Sequence, residues 1–178
     1  MKKIIIIVLS ILFLGLILFY LNRQNKVEYF KSIDLSENNS VVNTTKQYYM
    51  DTVVSVGLDI LNIKEDYITV RDMPDEIKGR FSEQNNLDLT ASIVGANDQY
   101  VIYIDNVDRY TAIKSLSHEL IHLRQYSSGK LRVIGSGVVI WEGKEINVLD
   151  IPYNDRPWEI EAFKEQNDLE KKILEKLY

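Results

Sequence analysis

The two histidines of the chain stand four residues apart, and a glutamate directly follows the first of them. The stretch reads His118-Glu119-Leu120-Ile121-His122, and no cysteine occurs in the 178 residues. On an α-helix a step of four residues is about one turn, so both imidazoles project from the same face. Two such imidazoles can bind one metal ion, and the glutamate beside them can accept a proton from a water molecule at that metal.

The residues around this motif separate into two faces of a predicted helix, which we place at residues 109–126. At about 100° per residue, one arc carries the apolar side chains that we expect to pack on a sheet, namely Ile113, Leu116, Leu120 and Leu123. His118 and His122 lie on the other side, with Gln125 close to them. Because all the histidine of the chain falls on one polar face, the pattern favours a metal site over a chance arrangement.

A zinc site needs at least three protein ligands, so another residue must join the histidines. Glu159 and Glu161 both lie on a helix that we predict from Pro157 to the end of the sequence. The helical periodicity places Glu159 on the apolar stripe and Glu161 on a solvated, charged face. A buried acid is costly unless a cation neutralises it, which favours Glu159 as the third ligand. Alternatively, Glu159 is a helix N-terminal acid stabilised by the helix dipole.

The motif HELIH, followed by Glu159-Ile160-Glu161-Ala162, resembles the gluzincin branch of the zinc metallopeptidases. The stretches HELIHLRQYSSGKL, VVIWEGKEI and RPWEIEAF are also similar to small bacterial and phage metallopeptidase-like proteins. The resemblance covers about residues 100–178 and says nothing specific about residues 27–98.

The resemblance implies that His118, His122 and Glu159 are zinc ligands and that Glu119 is the catalytic base. It implies a metalloprotease whose zinc and Glu119 activate a water molecule for attack on a peptide bond, and the apolar N-terminus of the chain would anchor it to a membrane. Phe163 departs from the family pattern, because many gluzincins carry an aspartate or asparagine there that supports a ligand histidine. The supporting partner must therefore come from elsewhere.

Catalysis also requires a hydrogen-bond donor for the oxyanion that develops on the substrate. Tyr153 is our first candidate, and Tyr126 and Arg156 are further candidates by proximity in sequence; each can instead be a packing or surface residue. Two other functions stay open: a tethered domain that binds zinc without catalysis, and a zinc hydrolase of non-peptide amides such as cell-wall fragments.

The remaining pattern predicts an α+β fold with a zincin-like catalytic domain, rather than βαβ winding. We expect a first helix at 47–63, a strand at 66–71, a hairpin of 87–94 with 99–105, short strands at 132–134, 137–141 and 145–149, and the C-terminal helix. Residues 99–105 precede the motif helix, where zincins keep the edge strand that pairs with an extended peptide substrate. Trp141 and Trp158 are expected in the core or at its rim.

The N-terminus predicts a membrane anchor, because residues 4–21 contain no charge and are just long enough to cross a bilayer as a helix. The alternative is a cleaved signal peptide, but no small-residue cleavage site follows. We divide the chain into an anchor at 1–26, a linker at 27–44 and a metallopeptidase domain at 45–178. A short N-terminal tail with an exported domain is the common arrangement, so we expect the domain outside the cytoplasm.

The charge distribution argues against nucleic acid as a partner. All 26 acidic residues follow the predicted anchor, whereas four of the 21 basic residues lie within it. An acidic domain without a basic stripe has no electrostatic attraction for a phosphate backbone. The expected partners are therefore a peptide or protein substrate and, through the anchor, the membrane.

We predict that the full-length protein fractionates with membranes and that a fragment of residues 27–178 is soluble, because residues 4–21 form the long apolar run. Fractionation followed by N-terminal sequencing measures this. Soluble mature protein that begins after residue 20 would instead support cleavage.

Overall fold

The computed structural model describes residues 40–64, 67–85, 88–96, 99–135 and 137–178. Its helices are α1 (Met50–Leu61), α2 (Asp75–Asn85), α3 (Arg109–Ser127) and α4 (Pro157–Leu177). Its strands are β1 (Ser40–Asn43), β2 (Tyr67–Asp72), β3 (Ala91–Ala96), β4 (Gln99–Ile104), β5 (Leu131–Gly135), β6 (Val138–Trp141) and β7 (Lys144–Asn147). The predicted α+β class is confirmed, and the predicted hairpin, motif helix and C-terminal helix are all present.

The predicted anchor and residues 27–39 of the predicted linker lie outside the described residues. Within the described ranges, no helix is long and apolar enough to cross a membrane.

The larger sheet contains four strands in the order β1-β2-β4-β3. β1 pairs with β2 in parallel, β2 pairs with β4 in parallel, and β3 pairs with β4 antiparallel. Two expectations are therefore wrong: residues 40–43 form a strand rather than linker, and β1, α1 and β2 make a βαβ unit. Four residues are too few to show a clear alternation, and the partner strand is separated from them by the whole of α1.

The position of the edge strand also differs from the prediction. β4, which covers the predicted edge strand 99–105, lies inside the sheet between β2 and β3. The edge next to the motif helix is β3, which contacts α3. Hydrophobic periodicity shows which face of a strand is buried but not which strands are neighbours, so the sequence could not distinguish the two strands of the hairpin.

Helix α2 was not predicted, because its sequence DEIKGRFSEQN has no apolar periodicity. Met73 and Pro74 end β2, and Asp75 and Glu76 place two acids in the first turn of the helix. The helix contributes Phe81 to the cleft beside α3.

Helix α3 lies at the centre of the domain and contacts β3, β4, α1 and α4. Its side chains Leu116, Leu120, Ile121 and Leu123 are fully buried. Burial of each contributes roughly 1.5–3 kcal/mol relative to exposure, so the helix is held firmly on several sides. At its N-terminus the side chain of Asp108 accepts hydrogen bonds from the backbone N–H groups of Tyr110 and Thr111.

The smaller sheet has the order β5-β6-β7 and is antiparallel throughout. Glu142 and Gly143 connect β6 and β7 with φ values of 48° and 81°, as a tight hairpin turn requires. A second apolar cluster attaches this sheet to the start of α4, and it consists of Leu131, Val139, Trp141 and Trp158. The prediction that both tryptophans are packing residues is confirmed.

Gly57 sets the distance between α1 and α3. A Cβ atom there would lie 2.4 Å from Leu120 Cδ1 and 3.3 Å from Ile173 Cδ1. We predict that Gly57→Ala lowers the free energy of unfolding by about 1–3 kcal/mol, because the fully buried Leu120 would have to shift within the core. Urea denaturation measures the change.

Gly79→Ala on α2 is the matched control, since a Cβ at Gly79 meets no atom within 4 Å. That substitution should be neutral or stabilising by about 0.5–1 kcal/mol. Equal effects of the two substitutions would contradict the close packing at Gly57.

Candidate metal centre

Three buried donor atoms converge between α3 and α4. The Nε2 atoms of His118 and His122 are 3.0 Å apart, and each lies 3.2 Å from Oε2 of Glu159. Ligands about 2.0–2.1 Å from a tetrahedral zinc are separated by roughly 3.3 Å, so the triangle has nearly the required size. The group His118, His122 and Glu159 can therefore hold a metal ion.

The two helices place these donors by different means. His118 and His122 lie on consecutive turns in the buried middle of α3, whereas Glu159 lies in the first turn of α4 behind Pro157. Ala162, one turn further along α4, is fully buried and lets the helices approach closely. Glu159 lies in the first turn of α4, where the helix dipole stabilises an acid, and it also faces the histidines. The two interpretations of Glu159 are therefore compatible.

A glutamine supports each histidine at the nitrogen that faces away from the donor triangle. His118 Nδ1 lies 2.9 Å from Gln166 Oε1, and His122 Nδ1 lies 2.8 Å from Gln125 Oε1. The Gln125 Nε2 atom donates to the carbonyl oxygen of Trp158 at 3.0 Å, so its oxygen is the atom that faces His122. With the proton on Nδ1, the Nε2 lone pair of His122 points towards Glu159.

These glutamines occupy the supporting positions behind the two histidines, where Phe163 departs from the gluzincin pattern. Phe163 cannot accept a hydrogen bond, and its ring instead packs at 4.7 Å from the ring of His118. Gln166 lies seven residues after Glu159, and Gln125 lies three residues after His122, so helical spacing was the available signal.

The electrostatics of the triangle favour a positive charge. Burial lowers the pKa of His122, but the hydrogen bond and charge of Glu159, together with Glu119 and Gln125, outweigh it and raise that pKa to about 9. Burial raises the pKa of Glu159, but the hydrogen bonds with both histidines lower it to about 2. Two imidazoles and a carboxylate at these distances therefore retain a proton unless a metal ion takes its place.

Glu119 is buried next to the triangle. Burial raises the pKa of its carboxyl group, against the opposing effect of the two histidines. The backbone N–H of Ile93, on the edge strand β3, donates a hydrogen bond to the same carboxylate. A raised pKa makes this buried carboxylate a stronger base than an exposed glutamate.

The three oxyanion candidates differ in position. Burial raises the pKa of the Tyr153 hydroxyl well above its usual range, and a hydrogen bond to Glu159 adds to this, so Tyr153 lies at the site. Burial raises the pKa of Tyr126 to about 12, and its side chain lines a cavity that also touches His122 and Glu119. Arg156 is engaged elsewhere, because its guanidinium donates to the carbonyl groups of Val148 and Ile151.

Glu161 is not on a solvated face as predicted. Its side chain is 20% exposed and forms ion pairs with Lys130 and Arg124, and Gln125 Nε2 lies 3.4 Å from its Oε1. The helical wheel treats α4 in isolation, whereas Arg124 near the end of α3 and Lys130 just before β5 contact Glu161 on this part of its surface.

Two cavities meet at the site. The larger, about 520 Å³, touches His118, and the smaller, about 170 Å³, touches His122 and Glu159. Glu119 and Tyr153 line both, and the residues from Leu89 to Ile93 border the two in succession. The donor triangle is therefore reached through a cleft between α3 and the edge strand.

Comparison with protein-family models, with curated proteins and with solved structures found no match for this chain.

We predict that the purified protein binds one zinc ion per chain and that the apparent affinity rises about tenfold per pH unit from roughly pH 6 to 8. Below its pKa of about 9, His122 must release a proton when the metal binds. Glu159, with a pKa of about 2, is already ionised in this range and adds nothing to the pH dependence of the zinc affinity. Competition with a chelator at several pH values measures the affinity.

His118→Ala and His122→Ala are the controls and should abolish stoichiometric binding. Retention of wild-type zinc content by both variants, or an affinity independent of pH, would contradict this site.

Proposed function

We propose that the protein is a zinc-dependent peptidase of the gluzincin type, tethered to a membrane by residues 4–21 with its catalytic domain outside the cytoplasm. His118, His122 and Glu159 hold the zinc, and Glu119 is the general base. The observation that supports this most directly is a donor triangle of zinc dimensions with a buried carboxylate beside it and a cleft in front of it.

When bound, zinc acts as a Lewis acid that acidifies a water molecule and polarises a carbonyl group. Glu119 accepts the proton of the attacking water and later delivers it to the leaving amine. The carboxylate is suited to both steps because burial raises its pKa towards the working pH. Tyr153 lines both cavities; its hydroxyl is hydrogen-bonded to Glu159, and it could donate to the developing oxyanion once a metal ion holds Glu159.

The edge strand supports a peptide as the substrate. β3 is the last strand of its sheet, so within the described residues no further strand pairs with its outer edge, where the backbone N–H of Ile93 donates to Glu119. An extended peptide can add to this edge through backbone hydrogen bonds. In the more stable antiparallel pairing, the residues before the cleaved bond lie beside His122 and those after it lie beside His118. The larger cavity would then accommodate the side chain that follows the cleaved bond.

A zinc site without catalysis is less well supported. Closed structural sites use four protein ligands, and the group found among the described residues supplies three. A zinc hydrolase of non-peptide amides would use the same groups, so only the substrate profile separates it from a peptidase.

We predict that Glu119→Gln keeps zinc but lowers peptide hydrolysis by at least about 10²–10⁴-fold, because glutamine is nearly isosteric but cannot accept the proton. Hydrolysis of a mixed peptide library, followed by mass spectrometry with zinc content measured in parallel, tests this.

Glu165→Gln is the matched control, since Glu165 lies on the outer surface of α4 and pairs with Arg124. It should keep both zinc and activity. If the zinc-loaded wild type cleaves no peptide, the peptidase proposal fails; cleavage of cell-wall amides by the same sample would then favour the second hydrolase.

A further inference from the structure

Gln125 is held in one orientation by three neighbouring groups. Its Oε1 lies 2.8 Å from Nδ1 of His122, and its Nε2 donates to the carbonyl oxygen of Trp158 at 3.0 Å. The same Nε2 lies 3.4 Å from Oε1 of Glu161. The amide nitrogen therefore has two oxygen acceptors, and the amide oxygen is left to face the histidine.

Glu161 is itself fixed by cations from two other elements. Lys130, at the start of the small sheet, donates to Oε2 of Glu161, and Arg124 approaches Oε1 at 3.4 Å. Lys130 also pairs with Glu142 at 3.2 Å and lies 4.6 Å from the ring centroid of Trp141. The chain of contacts from the small sheet to His122 is continuous.

We propose that Glu161, held by Lys130, is a positioning residue of the metal centre that fixes the amide of Gln125 and thereby presents the Nε2 lone pair of His122 to the metal. This inference rests on the metal-binding part of the proposed function and not on catalysis.

The physical reason is the free-energy cost of exchanging the positions of the oxygen and nitrogen of the Gln125 amide. A flipped Gln125 would place its oxygen against the carbonyl oxygen of Trp158 and the carboxylate of Glu161. Its nitrogen would then face His122 Nδ1, which favours the tautomer with the proton on Nε2. A proton on Nε2 occupies the lone pair that would bind the metal. By fixing Gln125, Glu161 therefore disfavours the His122 tautomer that cannot bind a metal ion.

Zinc affinity and the visible spectrum of the cobalt-loaded protein test the proposal in Glu161→Ala, Gln125→Leu and the double variant. Glu161→Ala should weaken zinc binding about tenfold, and Gln125→Leu by about 10–100-fold, the usual effects of removing outer hydrogen-bond partners. In the double variant the loss of Glu161 should have no further effect, because it acts through Gln125. Both single variants should alter the cobalt spectrum, which reports the orientation of the ligands.

Glu165→Ala is the matched control, since it removes a surface acid of α4 that pairs with Arg124 but has no contact with Gln125. Its affinity should stay within about twofold of the wild type. Glu161→Gln retains an oxygen acceptor for Gln125 and should recover the wild-type spectrum. Glu161→Met, which keeps the packing, replaces Glu161→Ala if thermal unfolding shows that the alanine variant does not fold.

Wild-type affinity in Glu161→Ala would overturn the proposal. An equal loss on removing Glu161 in the Gln125→Leu background would also overturn it, because the effect would then be one of charge alone. If neither the wild type nor Glu165→Ala binds zinc or cobalt, the metal centre itself fails, and this inference fails with it.

Discussion

Two imidazole nitrogens and a carboxylate oxygen converge within 3.2 Å in the interior of this domain, and the consequences of that convergence extend through the structure. Three buried lone pairs repel one another unless a proton or a metal ion lies among them. Each donor must therefore be kept in place by a neighbouring group. Gln166 contacts His118, Gln125 contacts His122, and Glu159 is fixed by its position in the first turn of α4. The apolar packing of α3 supplies the stability that offsets this unfavourable arrangement.

The close approach of the helices depends on small side chains at their contacts. Gly57 brings α1 against Leu120, and Ala162 occupies a fully buried position one turn beyond Glu159. A larger residue at either place would move the helices apart by an amount comparable with the tolerance of a metal site, a few tenths of an ångström. The close packing of the helices and the geometry of the metal site therefore depend on the same small side chains.

The parts of the site that sequence could predict are those that depend on local spacing. The helix of His118 and His122 and the buried face of Glu159 follow from a period of 3.6 residues. The identity of the edge strand, the strand β1 and the environment of Glu161 depend on which elements become neighbours, and no local pattern encodes that. Gln125 and Gln166 fall between these cases: their spacing was visible, but glutamine is common on helix surfaces, and only the fold shows that these two face the histidines.

The chain has no cysteine, and so no disulfide can restrict its unfolded state. His122 and Glu159 are nevertheless separated by 37 residues, and the whole of the small sheet lies between them. A metal ion bound to both closes that segment into a loop, as a covalent cross-link would. By the loop-entropy relation for disulfides, closing a loop of this length is worth about 4 kcal/mol. A metal ion bound at this site would therefore also cross-link a domain that has no disulfide, and its removal would lower the free energy of unfolding.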